Sequence, residues 1–410
     1  MIKFFRNLLS TTTPESRSAT TFNSNFSWLM GSGTSSGVTV NKNTIVGDSA
    51  VWAALRILSN SVASLPWEVY QDNGTTRERF QSHPVDYLIN KEPNQLSTSY
   101  SFRQSMVWKM FLYGDAYVRI HRDRATAAPY KLELLDSNKV ELFENADGTY
   151  YYIIKGKGIN GTLPNAQAVQ LSDMVHLKPI SMNGVTGIDI IKTHQENFGL
   201  SLAATKFGAK YYANGAHVSG VLESDMDFTE EGAARLRSLF KSKYGGIDNV
   251  GEMPVLEQGV KFKKIGADPS EALLIDARKF QVEEVARIFG IPAHMLSAMD
   301  KATFNNIEVM SLDFVKNTLR PLCVMIEQEF NRKLFTEREK RSGTLYTRFN
   351  LDGLMRGATK DRFDAYAIAI QNKIMSSNEI RNLENLNPRD GGDKFENPMI
   401  QVEENTPPNE

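Results

Sequence analysis

The chain has 410 residues, 41% hydrophobic and 23% charged, the proportions of a folded soluble protein with more chain than one ordinary core needs. Its 47 basic and 48 acidic residues leave a net charge of −1, which argues against a protein that grips nucleic acid tightly through its phosphates. One cysteine, Cys323, excludes an internal disulfide and a thiolate metal site, and no apolar run nears the roughly 18 residues that span a bilayer.

The opening Met1-Ile-Lys-Phe-Phe-Arg-Asn-Leu-Leu9 is too short and broken for a signal peptide, which predicts a cytosolic chain. Residues 10–47, rich in Ser, Thr, Gly and Asn, are expected to be mobile or only locally tied down. A helix follows over 49–65, stopped by Pro66, then a strand at 67–71 and a turn at Asp72-Asn-Gly74. Short helices are expected at 84–90 and 99–112, the second ended by Gly114. Strands at 116–122, 130–135, 140–143 and 149–154, the last two joined through Ala146-Asp-Gly148, make an α+β unit with a mostly antiparallel sheet.

A long helix over 187–212 places Ile188, Ile191, Phe198 and Leu202 near one side. A shorter helix covers 230–244, and strands are expected at 253–256 and 260–265. A second long helix, 269–289, carries Leu273, Ala277, Phe280, Val285 and Ile288. About 24 helical residues span on the order of 36 Å. After the polar segment 297–306, Leu312, Val315, Leu319, Leu322, Ile326, Phe330 and Leu334 form one helical stripe. Pro321 interrupts it, removing a donor and clashing with the preceding turn at about 3 kcal/mol, so a kink is expected there. A strand at 344–350 and a helix at 360–374 follow. Ser376 and Glu379 then stand in a capping-box relation that starts one more short helix. The acidic, proline-bearing end, 397–410, reads as loose.

Catalytic signatures are missing. No Gly-x-x-x-x-Gly-Lys-Ser/Thr loop is there to cradle the phosphates of ATP. The six histidines (His83, His121, His176, His194, His217, His294) never occur at metal-ligand spacing. Gly33-Thr-Ser-Ser-Gly37 spells a hydrolase elbow, but that turn needs a strand before it and a helix after it. Glu230-Glu231 and Glu283-Glu284 read as polar helix faces. Cys323, inside an apolar stripe, reads as a buried core residue. The expectation is a protein that is not an enzyme and uses no cofactor and no metal.

Six segments stand out in order: Val51-Trp-Ala-Ala-Leu-Arg-Ile-Leu-Ser-Asn-Ser-Val-Ala-Ser-Leu-Pro-Trp67; Leu112-Tyr-Gly-Asp-Ala-Tyr-Val118; Asp173-Met-Val-His-Leu177; Tyr212-Ala-Asn-Gly-Ala-His-Val-Ser-Gly-Val-Leu222; Phe280-Gln-Val-Glu-Glu-Val-Ala-Arg-Ile-Phe-Gly-Ile-Pro-Ala-His-Met-Leu296 with its polar segment and proline-bearing helix; and Ser376-Ser-Asn-Glu-Ile-Arg381 with Asn387-Pro388 and Gly391-Gly-Asp393. Together they resemble the portal proteins of tailed bacteriophages, in the family found in long-tailed phages, over roughly 48–398.

The resemblance implies a ring-forming α+β portal fold. Its parts would be a mixed α/β wing (48–186, completed by the kinked helix and strand at 308–357), stem helices at 187–218 and 268–291, and a clip at 219–267. A tunnel loop at 292–307 and a helical crown at 358–396 complete it, with flexible ends at 1–47 and 397–410. It implies a homo-oligomeric ring, in the family a dodecamer, at the unique vertex of the virion capsid, assembled in the host cytoplasm. The ring would be the conduit for double-stranded DNA in packaging and ejection. Its other partners would be the major capsid protein, the terminase large subunit and a head-tail connector, with no membrane.

On the residues alone, the polar loop is a solvent-exposed connection; the resemblance makes Asp300, Lys301, Thr303, Asn305 and Asn306 the residues facing the DNA channel. Likewise Glu230, Glu231, Arg235, Arg237, Lys241 and Lys243 are either a solvated helix or, as part of the clip, the docking surface for terminase and connector. Lys192, Lys206, Lys210, Arg278, Lys279 and Arg287 form a second candidate lining, unless they pair with Glu196, Glu283 or Glu284. The alternative to a portal is a non-enzymatic α+β scaffold or adaptor that clasps a partner helix.

Overall fold

A computed structural model of the protein describes residues 34–72, 77–156, 166–213, 220–224, 229–244, 260–264, 271–296, 310–351, 354, 359–384 and 386–395. Its first packed element is α1 (Lys42–Ile45), capped reciprocally by Asn41 and Thr44, with Ile45 fully buried. Thr34 is also buried, against Gly199, where a Cβ would lie only 2.7 Å from its methyl group. Of the two states expected for 10–47, mobile or locally tied down, 34–47 takes the second. Two well-placed residues anchor that stretch, which a Ser/Thr-rich composition conceals. Asp48 then caps α2 (Ser49–Ser64) by accepting from the Ala50 and Val51 N–H groups, and it also accepts from the Ser201 hydroxyl.

Pro66 ends α2, and the chain enters β1 (Trp67–Asp72) and β2 (Arg77–Arg79). β2 was not expected, since three charged residues show no apolar alternation. Arg79–Glu68 (3.0 Å) and Arg77–Asp72 (3.1 Å) ion pairs hold it on β1. Next come α3 (Pro84–Asn90), with proline in its first turn, and α4 (Ser99–Tyr113), closed by Gly114 in the left-handed region. α2 buries Val51, Leu55, Leu58 and Val62 and packs on α4, which buries Phe102, Met106 and Met110. The strands β3 (Ala116–Arg122), β4 (Pro129–Leu134), β5 (Val140–Glu144), β6 (Tyr150–Ile154), β7 (Gln167–Gln170) and β8 (Met174–Leu177) form two antiparallel sheets, ordered β4-β3-β8 and β5-β6-β7.

The helix expected from residue 187 begins only at α5 (Ile190–Thr193), N-capped by Asp189. Gly187 is used otherwise: it lies so close to Gly114 that a Cβ would sit 2.0 Å from the Gly114 carbonyl oxygen. A break at His194 (φ −105°, ψ 27°) separates α5 from α6 (Gln195–Ala213). Beyond it, β9 (Gly220–Glu223), which was not expected, pairs antiparallel with β10 (Lys261–Lys264), and α7 (Glu230–Tyr244) lies between them in sequence. The strand expected at 253–256 lies outside the described residues.

α8 (Glu271–Phe289) packs antiparallel on α6. Asn197 Nδ2 donates to Glu284 Oε2 (3.3 Å), while Ser201 and Thr205 share a small cavity with Gln281 and Arg278. From residue 310 the chain is helical again, passes through a π turn (Val315–Leu319) and continues as α9 (Arg320–Leu334). The expectation here was a proline kink. What precedes Pro321 is a widened turn in which the Arg320 N–H reaches Val315 O. Such a turn relieves the clash of a proline ring with the carbonyl four residues back.

Then come α10 (Glu337–Ser342), not expected but announced by a capping box at Thr336 and Glu339, and β11 (Leu345–Phe349). β11 pairs with β1 in the register Trp67↔Phe349. Those two rings stack at 4.7 Å, and Phe330 of α9 meets Trp67 edge-on at 4.8 Å. α11 (Thr359–Gln371) is shorter than the 360–374 expected, because Lys373 takes a left-handed conformation (φ 59°) just after it. α12 (Ser377–Leu383) starts at the Ser376–Glu379 capping box. The α+β class read from the sequence agrees with this mixture of helices and antiparallel sheets.

Candidate functional site

Asp300, Lys301, Thr303, Asn305 and Asn306 lie outside the described residues; the two ends that hold their loop do not. On the entry side, α8 closes in a Schellman motif: Gly290 is left-handed (φ 66°), its N–H reaches Arg287 O, and the Ile291 N–H reaches Ala286 O. A 3-10 turn, Ala293–Leu296, then buries His294 and Leu296. On the exit side, Phe314, Val315 and Leu319 are buried. The Thr318 hydroxyl donates to the Gly290 carbonyl and so ties the π turn to the end of α8. One hydrogen bond thus joins the described residues on the two sides of the polar segment, at Gly290 and Thr318, and both sides carry buried core residues.

Glu230, Glu231, Arg235 and Arg237 are exposed on α7, whose first turn is capped by Thr229. Lys241 and Lys243 belong to the same helix, but their side chains lie outside the described residues. The acidic pair at the helix start suits the positive end of its dipole. Arg235 and Arg237 are two residues apart, so the helix does not bring them onto one side. Exposed Lys261 and Lys263 stand on β10, the latter paired with Glu223 (3.1 Å). Of the basic residues on the long helices, Arg287 pairs with Glu284. Lys206, Lys210 and Arg278 are exposed, and Glu196 accepts from the Ser35 N–H.

One polar cluster escaped the sequence reading. His176 is almost fully enclosed, with Nε2 2.7 Å from Asp115 Oδ1 and Nδ1 3.1 Å from the Tyr152 hydroxyl, and its ring stacks on Tyr117 at 4.4 Å. Asp115 also accepts from the Gly187 N–H (2.7 Å). Burial, first of all, pushes the Tyr117 and Tyr152 hydroxyls well above the usual tyrosine range. Chemically this is a closed network that fixes β3, β6 and β8 to one another and to the Gly114–Gly187 crossing. Its members lie up to 61 residues apart, so no spacing in the sequence reveals it.

Cys323 is buried, and burial followed by nearby Glu327 pushes its thiol up to about 12, an inert core group rather than a nucleophile. The Gly-x-Ser-x-Gly letters end in a simple turn, Gly37 N–H to Thr34 O (2.9 Å), followed by four residues without regular structure and not directly by a helix. Among the described residues no group of His, Cys, Asp and Glu could hold a metal ion, and no helix is long and apolar enough to cross a membrane.

The described residues thus form an α+β body and a long antiparallel helix pair, with a two-stranded sheet and a helix between the pair in sequence. The chain belongs to the phage portal protein family, whose sequence model matches residues 49–385. It is 32% identical to a probable portal protein of Streptomyces phage phiC31 over 90% of this chain and 82% of that one. Its fold is similar to an HK97-family phage portal protein from Corynebacterium diphtheriae, with a TM-score of 0.56 at 17% identity over 77% of this chain and 96% of that one. It is also similar to a chain in the neck of a native gene transfer agent particle computed with C12 symmetry, with a TM-score of 0.56 at 18% identity over 84% and 92% of the two chains. By family identity the protein is a structural portal protein rather than an enzyme.

Proposed function

We propose that copies of this chain close into a dodecameric ring at the unique vertex of a phage capsid, through which double-stranded DNA passes during packaging and ejection. The observation that carries this reading is membership of the portal family across residues 49–385. The twelvefold symmetry of the particle neck that holds a similar fold supports the ring. In this reading the loop 297–306 faces the duplex through Asp300, Lys301, Thr303, Asn305 and Asn306. One cation beside one anion and several amides suits a moving polymer that bears a charge about every 1.7 Å; a ring of many lysines would hold it.

The insert 219–267 offers Glu230, Glu231, Arg235, Arg237, Lys241 and Lys243 to the terminase large subunit during packaging and to the head-tail connector afterwards. The major capsid protein surrounds the ring. Assembly takes place in the host cytoplasm, and the finished site is the virion. The sequence has no phosphate-binding loop, so the energy of translocation comes from the docked terminase.

The test is deletion of 300–305 in an otherwise intact phage. Ring mass and shape should match wild type in electron micrographs, because a polar loop buries little apolar area. The yield of filled particles should fall. A normal yield of filled particles from the deletion would put the channel elsewhere, and a wild-type chain that stays monomeric at micromolar concentration would remove the ring altogether.

A further inference from the structure

The long helix pair leaves apolar side chains facing outward. On α6, Leu200 and Phe207 are half-exposed (52% and 49%), with Lys206 and Lys210 exposed nearby. Seven residues is nearly two whole turns, so Leu200 and Phe207 fall within about 20° of one another, and the two lysines form the adjoining flank. On α8 the outward side carries Phe280, 52% exposed, with Asp276 and Glu283 one turn to either side.

The packing of the pair fixes relative height. Asn197 is bonded to Glu284, and Ser201 and Thr205 sit across a cavity from Gln281 and Arg278. By that register Phe280 is level with the interval between Leu200 and Phe207, and Asp276 is level with Lys206. A rotation about an axis, with no slide along it, preserves every height, and repeating it joins one surface of a subunit to a different surface of the next. One helix offers an apolar interval flanked by cations. The other offers, at the same height, a phenyl ring flanked by carboxylates.

We propose that α6 of one protomer seats Phe280 of the partner subunit between its Leu200 and Phe207, with its Lys206 paired to Asp276 of the partner subunit. The occupant of the exposed face is a second copy of this chain, since size, sign of charge and height all match on the chain's own other helix. The contact rests on the ring reading above and names the residues that close the ring.

The experiment is native mass spectrometry of the full-length chain at micromolar concentration. Wild type should give closed rings. Phe280→Glu should give monomers, and Lys206→Glu, a change on an exposed side chain that leaves the circular dichroism unchanged, should raise the monomer fraction at least tenfold. Adding Asp276→Lys to Lys206→Glu should restore rings. Intact rings in both single variants, or a double variant no better than Lys206→Glu alone, would overturn this interface and leave the ring standing. A monomeric wild type would overturn the ring, and this contact with it.

Discussion

The body and the helix pair use the same residue types to opposite ends. In the body, Trp67, Phe330, Leu58, Met106 and Ile326 are at most 1% exposed. In the helix pair, Leu200 and Phe280 are 52% exposed, and on α11 and just after it Phe363, Ile368 and Ile374 are 50%, 58% and 69% exposed. A monomer can carry scattered surface hydrophobics, but large side chains repeated along uncovered helices mark surfaces that meet another protein. The body can fold on what it buries itself. The helix pair buries Phe198, Val285 and Phe289 within the protomer, and on the ring reading proposed above its outward side chains would be covered by a neighbouring copy.

The largest expected effect tests that division directly. Phe330 touches Trp67 edge-on in a site closed by Phe349, so Phe330→Ala should lower unfolding free energy by about 3–5 kcal/mol in urea titration. Phe280→Ala, measured on dissociated protomers, should stay within about 0.5 kcal/mol of wild type, as surface substitutions do. Equal losses would erase the distinction, since Phe280 would then have to be packed within its own protomer.

A smaller effect sharpens the comparison at the C-terminal end. Ser376 is buried and accepts from the Glu379 N–H (3.2 Å), while the Glu379 carboxylate accepts from the Ser376 N–H (2.7 Å). Ser376→Ala should cost about 1 kcal/mol. If α12 opens separately from the body, amide exchange should quicken over 377–383 and stay unchanged in α2. Faster exchange in both would mean that the two regions unfold as one.

What was legible follows a different division, between local signals and tertiary contacts. Elements with strong local signals were readable, in the body and in the insert alike. α3 has its N-terminal proline, α2 its proline stop and β3 its alternation; the sequence boundaries for these, and for α7, fall within a residue of the structure. Elements held by tertiary contact were not. β2 exists through ion pairs to β1, α1 through one buried isoleucine, and the Asp115–His176–Tyr152 network through contacts between distant strands. Helix 187–212 was read too long because a glycine chosen for close approach to Gly114 looks, in sequence, like a helix boundary. Of the candidate site, the helical setting of Glu230, Glu231, Arg235 and Arg237 was legible and so was their exposure. What they face was not, because the partner of an outward side chain is written in another chain.

The smallest effect concerns Glu327, which joins α9 to β11 by accepting from the Phe349 N–H (2.6 Å). Burial raises its carboxyl above the ordinary value of 4.5, and the Phe349 N–H and Arg348 only partly oppose that shift. The folded state therefore holds this proton more tightly than the unfolded state does. The associated stability is fully present below the ordinary carboxylate value and is lost as pH rises through the raised one. Glu327→Gln keeps an oxygen for the Phe349 N–H and removes the titration. Between about pH 4 and pH 8, wild type should lose melting temperature relative to the variant as pH rises, with the gap levelling off at the alkaline end. The difference is the quantity to follow, since other carboxylates titrate in both proteins alike. Parallel profiles would mean that Arg348 and the Phe349 N–H fully offset the burial, and that this joint of the body is as open to solvent as the helix pair.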